Sequence, residues 1–272
     1  MALHLPPRLK AWTTVACLFG AACLMPLTPA AIAEPDMPPT TGQSTVDIAH
    51  HQQLDYLIHL PADYDVEADR TWPLVIFLHG AGERGNDLEK LKKWGPPKFI
   101  EEQTLPAELQ QAIIVSPQCP ADQWWANDTM IASLDQMFAD ILADHAVDID
   151  RVYLTGVSMG GYGTWAWAGR NPRRFAAVAP VCGGATFFHA RTIARAKLPL
   201  WTFHGDRDPI VPLSETVAAF QTLQQQNHTG PDARLTVFPN TQHNSWTPAY
   251  ATAELWAWMF SHRRTAASDT TD

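Results

Sequence analysis

The chain has 272 residues, of which 46% are hydrophobic and 17% are charged, so it holds ample apolar material for a packed core and is not a disordered chain. Its 19 Lys and Arg are outnumbered by 28 Asp and Glu, which gives a formal net charge of −9. This acidic balance disfavours nucleic acid and anionic membrane surfaces as partners.

The first 33 residues have the pattern of a secretory signal peptide. Arg8 and Lys10 form a positive segment, residues 12–25 are apolar and uncharged, and residues 31–33 (AIA) offer a small-x-small cleavage site. The apolar run is short for a transmembrane helix of about 20 residues, and a retained membrane anchor is the alternative. We expect cleavage before Glu34 and a secreted or periplasmic protein with no stable membrane insertion.

Cleavage would leave two of the four cysteines, Cys119 and Cys182. Each follows an apolar, strand-like run, so both are expected at the same end of a sheet. An even count in an oxidising compartment permits one disulfide between them. Two buried free thiols are the alternative.

The rest of the chain predicts one domain over residues 45–262, between a flexible Pro-rich leader at 34–44 and a disordered tail at 263–272. Strands are predicted at 54–60, 74–78, 112–116, 152–157, 176–181, 198–204 and 235–239. Helices are predicted at 88–102 (interrupted by Gly95), 128–145, 159–169, 213–226 and 248–260. This alternation indicates the α/β class, with a doubly wound, mostly parallel sheet and helices on both faces. In such sheets ligands bind beyond the carboxyl ends of the strands.

A candidate nucleophile follows one of these strands. Residues 156–160 (GVSMG) fit the pattern G-x-S-x-G between a predicted strand and a predicted helix. Glycines on both sides allow a tight turn that lifts the Ser158 hydroxyl above the sheet, and the helix N-terminus behind it favours developing negative charge. The alternative is a glycine-rich turn with an ordinary serine.

A serine hydroxyl needs a base that is held by a carboxylate. His243 lies in the loop NTQHNSW, after the last predicted strand and before the last helix, where this topology places the base. Asp208 lies in HGDRDPIVP and is the candidate acid. Asp206 competes with it, although Asp206 is also placed to bond loop amides or to pair with Arg207. The order Ser, Asp, His along the chain is the one expected of α/β-hydrolases.

Two backbone amides are candidates for an oxyanion hole, the group of donors that stabilises a developing negative oxygen. One is the N–H of Met159, directly after the nucleophile, and the other is the N–H of Ala81 in LHGAG, which follows the strand at 74–78. A plain glycine turn at Ala81 is the alternative.

Together, PLVIFLHGAGERGND, GVSMGGYGTW, HGDRDPIVP and NTQHNSW resemble the α/β-hydrolase superfamily. Within it the chain is similar to phospholipase/carboxylesterase and feruloyl-esterase-like proteins, including bacterial proteins described as predicted peptidases. The resemblance covers residues 45–262 and implies hydrolysis of acyl esters without a cofactor. By match of motif, Ser158, Asp208 and His243 take the triad positions, and Ala81 and Met159 the oxyanion positions.

Three tryptophans are candidates for the substrate pocket. Trp124 and Trp125 follow the strand at 112–116, and Trp246 lies three residues after His243. Aromatic rings there would suit a phenolic or sugar-linked substrate, whereas ordinary packing is the alternative. The sequence contains no H-E-x-x-H, C-x-x-C or phosphate-binding loop pattern, so no metal or nucleotide is expected.

The sequence therefore predicts an exported serine esterase that acts on small acyl, hydroxycinnamoyl or carbohydrate esters, free or glycan-linked. A serine peptidase with the same triad is one alternative, although the chain has no room for a propeller domain. A non-catalytic binding protein on a hydrolase scaffold is the second. The sequence does not indicate an oligomeric state.

Overall fold

The structure, a computed structural model, describes residues 46–50, 54–66 and 69–264, which fall in the compact unit Thr41–Asp272. The predicted signal peptide at 1–33 and leader at 34–44 lie outside the described residues, as do residues 265–272 of the predicted tail. Arg263 and Arg264 of that tail are described, and they form ion pairs with Asp148 and Asp150. Contacts with the domain thus continue two residues past the predicted boundary.

Eight described strands form one sheet in the order β1-β2-β4-β3-β5-β6-β7-β8. The pairs β1–β2 and β2–β4 are antiparallel, and the other five pairs are parallel, which confirms the predicted mostly parallel sheet. The strands are β1 (Val46–His50), β2 (Asp55–His59), β3 (Trp72–Leu78), β4 (Ile113–Pro117), β5 (Val147–Val157), β6 (Ala177–Val181), β7 (Leu200–Gly205) and β8 (Ala233–Phe238).

The described part of the chain also forms seven α-helices: α1 (Gly95–Glu101), α2 (Asp128–Asp144), α3 (Met159–Arg170), α4 (Phe187–Arg195), α5 (Leu213–Gln225), α6 (Trp246–Tyr250) and α7 (Ala253–Ser261). Short 3₁₀ turns occur at Ala81–Glu83, Leu88–Lys93, Leu109–Gln111 and Gly230–Asp232. Among these described helices, none has both the length and the apolar character that crossing a membrane requires.

The two faces of the sheet are both covered, because successive side chains of a strand point to opposite faces. Leu74, Ile76 and Leu78 of β3 pack into a core with residues of α2, α3, α4 and α5. Val75 and Phe77 of the same strand pack into a second core with residues of α1, α6 and α7. This arrangement confirms the predicted doubly wound α/β fold.

Four elements differ from the prediction. Strand β1 (Val46–His50) was not predicted, since the first predicted strand begins at 54. Strand β5 begins at Val147 rather than 152, because Val147 pairs with Trp72 before an irregularity in the register with β3. Helix α4 (Phe187–Arg195) has no predicted counterpart, since its buried face consists only of Ala190, Ile193 and Ala194. The last predicted helix is divided into α6 and α7 at residues 251–252.

Of the two possibilities that the sequence left open for Cys119 and Cys182, the structure has the free thiols, and both are buried. Cys119 follows β4 and Cys182 follows β6, and β3 and β5 lie between these two strands in the sheet. Three strand spacings of roughly 4.8 Å separate β4 from β6 by about 14 Å, whereas a disulfide needs Cα atoms within about 7 Å. Both cysteines do lie at the same sheet edge, but too far apart to bond.

The turn between β5 and α3 lies directly against the end of β3. A Cβ atom at Gly160 would lie 1.9 Å from the backbone oxygen of Leu78, and one at Gly156 would lie 2.4 Å from that of Gly160. Real Cβ atoms do not approach backbone oxygens so closely. Glycine at these two positions is therefore required for the turn to contact the loop that follows β3.

We expect Gly160→Ala to lower the free energy of unfolding by about 3 kcal/mol or more, because the added methyl group meets backbone that cannot move away. Gly82→Ala is the matched control, since a Cβ there has nothing within 4 Å. Its effect should stay within about 1 kcal/mol. Urea denaturation of both variants measures the difference, and similar midpoints for the two would contradict the steric explanation.

Candidate active site

Ser158 lies at the end of β5, on the tight turn that leads into α3. Its backbone has φ 55° and ψ −114°, a conformation that costs a non-glycine residue free energy. The Ser158 amide donates to the oxygen of Val181 at 2.9 Å, and its carbonyl accepts from the amide of Tyr162 at 3.0 Å. These bonds fix the turn, so the hydroxyl projects from the carboxyl edge of the sheet.

The three predicted triad side chains form one hydrogen-bonded chain. His243 Nε2 lies 2.9 Å from Ser158 Oγ, and His243 Nδ1 lies 2.7 Å from Asp208 Oδ2. The carboxylate of Asp208 is fully buried, and the imidazole of His243 is 20% exposed. This geometry suits proton transfer from the hydroxyl to an imidazole whose other nitrogen is held by a carboxylate.

Asp208 is fixed by its own loop between β7 and α5. Its Oδ1 accepts hydrogen bonds from the amides of Ile210 and Val211, each at 2.9 Å. Burial alone would raise the pKa of Asp208, but the hydrogen bonds from His243, Val211 and Ile210 outweigh burial, so its pKa lies below the ordinary value of 3.8. The carboxylate is therefore ionised at neutral pH.

The competing carboxylate, Asp206, has a different position. Its Oδ1 accepts from the amide of Thr241 at 3.2 Å, in the loop between β8 and α6. From the sequence, Asp206 was either the acid in place of Asp208 or a residue that bonds loop amides. The structure shows the second role. Asp206 thereby ties the loop that carries His243 to the loop that carries Asp208.

The two predicted oxyanion amides belong to neighbouring segments. Met159 is the first residue of α3, where an amide has no acceptor within the helix, and Ala81 begins the turn after β3. The close approach of Gly160 to Leu78 and His79 brings these segments into contact. Among the described residues, neither the Ala81 nor the Met159 amide donates a hydrogen bond to the protein. Both remain available to a ligand.

Trp125 was predicted to line the pocket, and this expectation was wrong. Its side chain is fully buried, and its Nε1 donates to the oxygen of His79 at 3.0 Å. His79 in turn donates from Nδ1 to the oxygen of Gly80 and accepts at Nε2 from the amide of Cys119 at 2.9 Å. Trp125 therefore packs on the buried side of the loop after β3 and stabilises it. The sequence placed Trp125 at the correct sheet edge but did not indicate which way the ring turns.

Arg84 also supports this loop. It donates from Nε to the oxygen of Ala81 at 3.0 Å and from a terminal nitrogen to the oxygen of Gln123 at 3.3 Å. Glu83, in the same turn, is only 6% exposed, and burial raises its pKa. The loop that carries Ala81 is thus tied to the segment after β4, which limits its movement.

Two aromatic pairs flank the triad. The ring of Trp246 meets that of His243 edge-on at 5.3 Å and that of Trp94 at 5.5 Å. Trp124 is 37% exposed and lies 6.0 Å from the ring of Tyr162. Sequence reasoning missed Trp94 and Tyr162, although Tyr162 lies one helical turn after Ser158, a spacing that places both at the same end of α3.

A thiol also lies next to the triad. Cys182, Asp208 and His243 have ligand-type atoms within 4.8 Å of one another, the one such group among the described residues. Burial raises the pKa of Cys182 to about 12, so its sulfur stays protonated at neutral pH. Cys182 therefore does not compete with Ser158 as a nucleophile, because the thiolate is the reactive form.

The sheet, the tight serine turn and the chain order Ser158, Asp208, His243 define an α/β-hydrolase. Residues 118–266, more than half of the chain, match the dienelactone hydrolase family. The chain belongs to this family.

Several known proteins are similar to the chain. A probable feruloyl esterase C from Aspergillus terreus is 27% identical over 177 residues, which are 64% of this chain and 62% of that protein. A bifunctional acetylxylan esterase/xylanase from Neocallimastix patriciarum is 26% identical over 181 residues, 64% of this chain and 25% of that protein. The chain thus spans less than two thirds of the length of these curated relatives.

A solved structure described as a thermostable esterase superimposes with a TM-score of 0.70. It is 27% identical in sequence, and the match covers 82% of this chain and 64% of the other.

We expect Asp208→Asn to destabilise the protein at pH 7 and to have a smaller effect as the pH falls below 3.8, the ordinary pKa of the carboxyl. The pKa of Asp208 is lower in the folded protein than in the unfolded chain, so its stabilising effect is present above the ordinary value and is lost as the pH falls through the folded value. Urea denaturation of both proteins at pH 7 and at pH 3 measures the two differences. Equal differences at the two pH values would contradict this account.

Proposed function

We propose that the chain is an exported serine hydrolase that cleaves carboxylic esters through an acyl-enzyme on Ser158. The observation that carries this proposal is the continuous hydrogen-bonded chain Ser158–His243–Asp208, at 2.9 and 2.7 Å, beside two unused backbone amides. A binding protein would gain nothing from a strained serine held at this distance from an imidazole.

In the first step, Ser158 Oγ attacks the ester carbonyl while His243 Nε2 takes the hydroxyl proton. The carbonyl oxygen becomes an oxyanion, which the amides of Ala81 and Met159 stabilise. One such donor typically contributes about 3 kcal/mol to lowering the barrier. His243 then gives its proton to the leaving alcohol as the carbon–oxygen bond breaks, which leaves an acyl group on Ser158.

In the second step, water repeats the attack. His243 removes a proton from the water, the hydroxide adds to the acyl carbonyl, and the same amides hold the oxyanion. The intermediate collapses by breaking the bond to Ser158 Oγ, which takes the proton back from His243. Asp208 remains ionised throughout and stabilises the imidazolium that forms in each step.

For the substrate, we propose short acyl or hydroxycinnamoyl esters of carbohydrates. Trp124 lies on the loop after β4, and Trp246 is the first residue of α6, next to His243. Both rings offer flat apolar surfaces to an aromatic acyl group or a sugar ring. The names of the feruloyl esterase and acetylxylan esterase relatives support this class of substrate. No cofactor takes part in the proposed reaction.

We predict that Ser158→Ala lowers kcat for a p-nitrophenyl ester by at least about 10⁴-fold, because the attacking oxygen is gone, while the protein stays folded. A fluorophosphonate probe should label the wild-type protein at Ser158. Asp206→Asn is the control that separates the two carboxylates. Its kcat should stay close to that of the wild type, because the Asn side-chain oxygen can still accept from the Thr241 amide. Full activity of Ser158→Ala would contradict the assignment of the nucleophile.

A substrate panel distinguishes the proposed reaction from its alternatives. It should include short acyl, long acyl, acetyl-xylan and hydroxycinnamoyl esters together with peptide nitroanilides. Faster cleavage of the nitroanilides would favour a peptidase instead. No turnover and no labelling of Ser158 would favour a non-catalytic binding protein.

Export is proposed from the sequence of the first 33 residues. We predict that the full chain, produced in a bacterium with a functional secretion system, yields a mature protein that begins at Glu34. Amino-terminal sequencing of the protein released by osmotic shock, or recovered from the medium, tests this prediction. A protein that retains Met1 in the membrane fraction would instead indicate an uncleaved anchor.

A further inference from the structure

A second histidine contacts the carboxylate of Asp208. His204, near the end of β7, has its Nε2 3.2 Å from Asp208 Oδ2, the same oxygen that His243 contacts. The side chains of His204 and Asp208 are both fully buried. The proposed mechanism gives His204 no role, although it contacts the carboxylate of a triad residue.

The Nδ1 atom of His204 must carry a proton. It lies 2.7 Å from Thr216 Oγ1, and Thr216 Oγ1 lies 2.5 Å from the backbone oxygen of Gly183. A carbonyl oxygen only accepts, so the single hydroxyl proton of Thr216 is directed to Gly183. Thr216 therefore has only a lone pair to offer His204, and Nδ1 must be the donor.

The Nε2 atom of His204 must also carry a proton. Its two neighbours are the backbone oxygen of Val211 at 2.9 Å and Asp208 Oδ2 at 3.2 Å, and both are acceptors. A bare nitrogen lone pair facing two oxygens inside the protein would be strongly unfavourable. One shared proton on Nε2 satisfies both contacts.

We infer that His204 is a buried imidazolium that pairs with Asp208 and acts as a positioning residue for it. This inference rests on the proposed function, because its catalytic consequence requires Asp208 to orient His243. A buried charge is tolerated when it is paired and fully hydrogen-bonded, and His204 meets both conditions through Thr216, Val211 and Asp208. His204 thereby holds Oδ2 at the position where it accepts the hydrogen bond from His243 Nδ1.

Other titratable groups surround this pair from the neighbouring elements. Cys182 after β6 stays protonated because burial raises its pKa to about 12, and burial also raises the pKa of Tyr162 on α3. Glu215 precedes Thr216 on α5, where its residue is exposed, and Asp206 is bonded to Thr241. Among the described residues, Asp208 is therefore the carboxylate within ion-pair distance of His204.

The test combines a spectroscopic and a kinetic measurement. In ¹⁵N-labelled wild-type protein at neutral pH, we expect two slowly exchanging ring N–H signals from His204, assigned by their loss in His204→Gln. His204→Phe removes both donors and should lower kcat by about 100-fold with KM within about twofold. His204→Gln keeps a neutral donor and should fall between this variant and the wild type.

His228→Gln is the matched control, because His228 is also buried and bonds the oxygen of Leu198 at 2.8 Å, before the start of β7. It should change stability without changing kcat. A single ring N–H signal from His204 would overturn the inferred charge, and two signals with unchanged kcat in His204→Phe would overturn the positioning role. The NMR result needs no substrate, so it is separate from any failure of the esterase assignment.

Discussion

The site depends on one steric constraint, the direct contact between the turn after β5 and the end of β3. The backbone oxygen of Leu78 occupies the space that a side chain at residue 160 would need. This contact sets the distance between the segment that carries Ala81 and the segment that carries Ser158 and Met159. Without this contact the two segments would not be held together.

The other two triad residues are fixed by different means. Asp208 is held through hydrogen bonds inside its own loop and by the buried His204, so its direction hardly depends on distant parts of the chain. His243 is held by contacts from outside its own loop, namely the ring of Trp246 and the hydrogen bond between Asp206 and Thr241. Hydrogen bonds from nearby residues thus hold the Asp208 carboxylate, whereas contacts from neighbouring segments hold the His243 imidazole.

The sequence predicted those features that short segments determine. The strand-turn-helix at Ser158 and the loops of Asp208 and His243 each carry their own pattern of apolar runs, glycines and prolines. Features that depend on the order of strands were not predictable in this way. Cys119 and Cys182 both follow strands at the same sheet edge, and only the placement of β3 and β5 between those strands separates the thiols.

The direction of side chains was the second feature that could not be predicted from the sequence. Trp124 and Trp125 are neighbours in the chain, yet one ring is exposed beside Tyr162 and the other is buried under His79. No local pattern distinguishes the two, because the difference arises from contacts with residues more than 30 positions away. Helix α4 escaped prediction for a related reason, since two exposed phenylalanines obscure its weak apolar face.

The backbone conformation of Ser158 lowers stability, so a serine at this position can be favoured for function but not for stability. Residues in such sparsely populated conformations typically cost about 1–3 kcal/mol, and glycine is the residue best able to relieve that cost. An evolutionary or engineering search that rewarded thermal resistance alone would therefore tend to replace the serine. A serine at residue 158 is what one expects where reactivity, and not folding, decides which residue is selected.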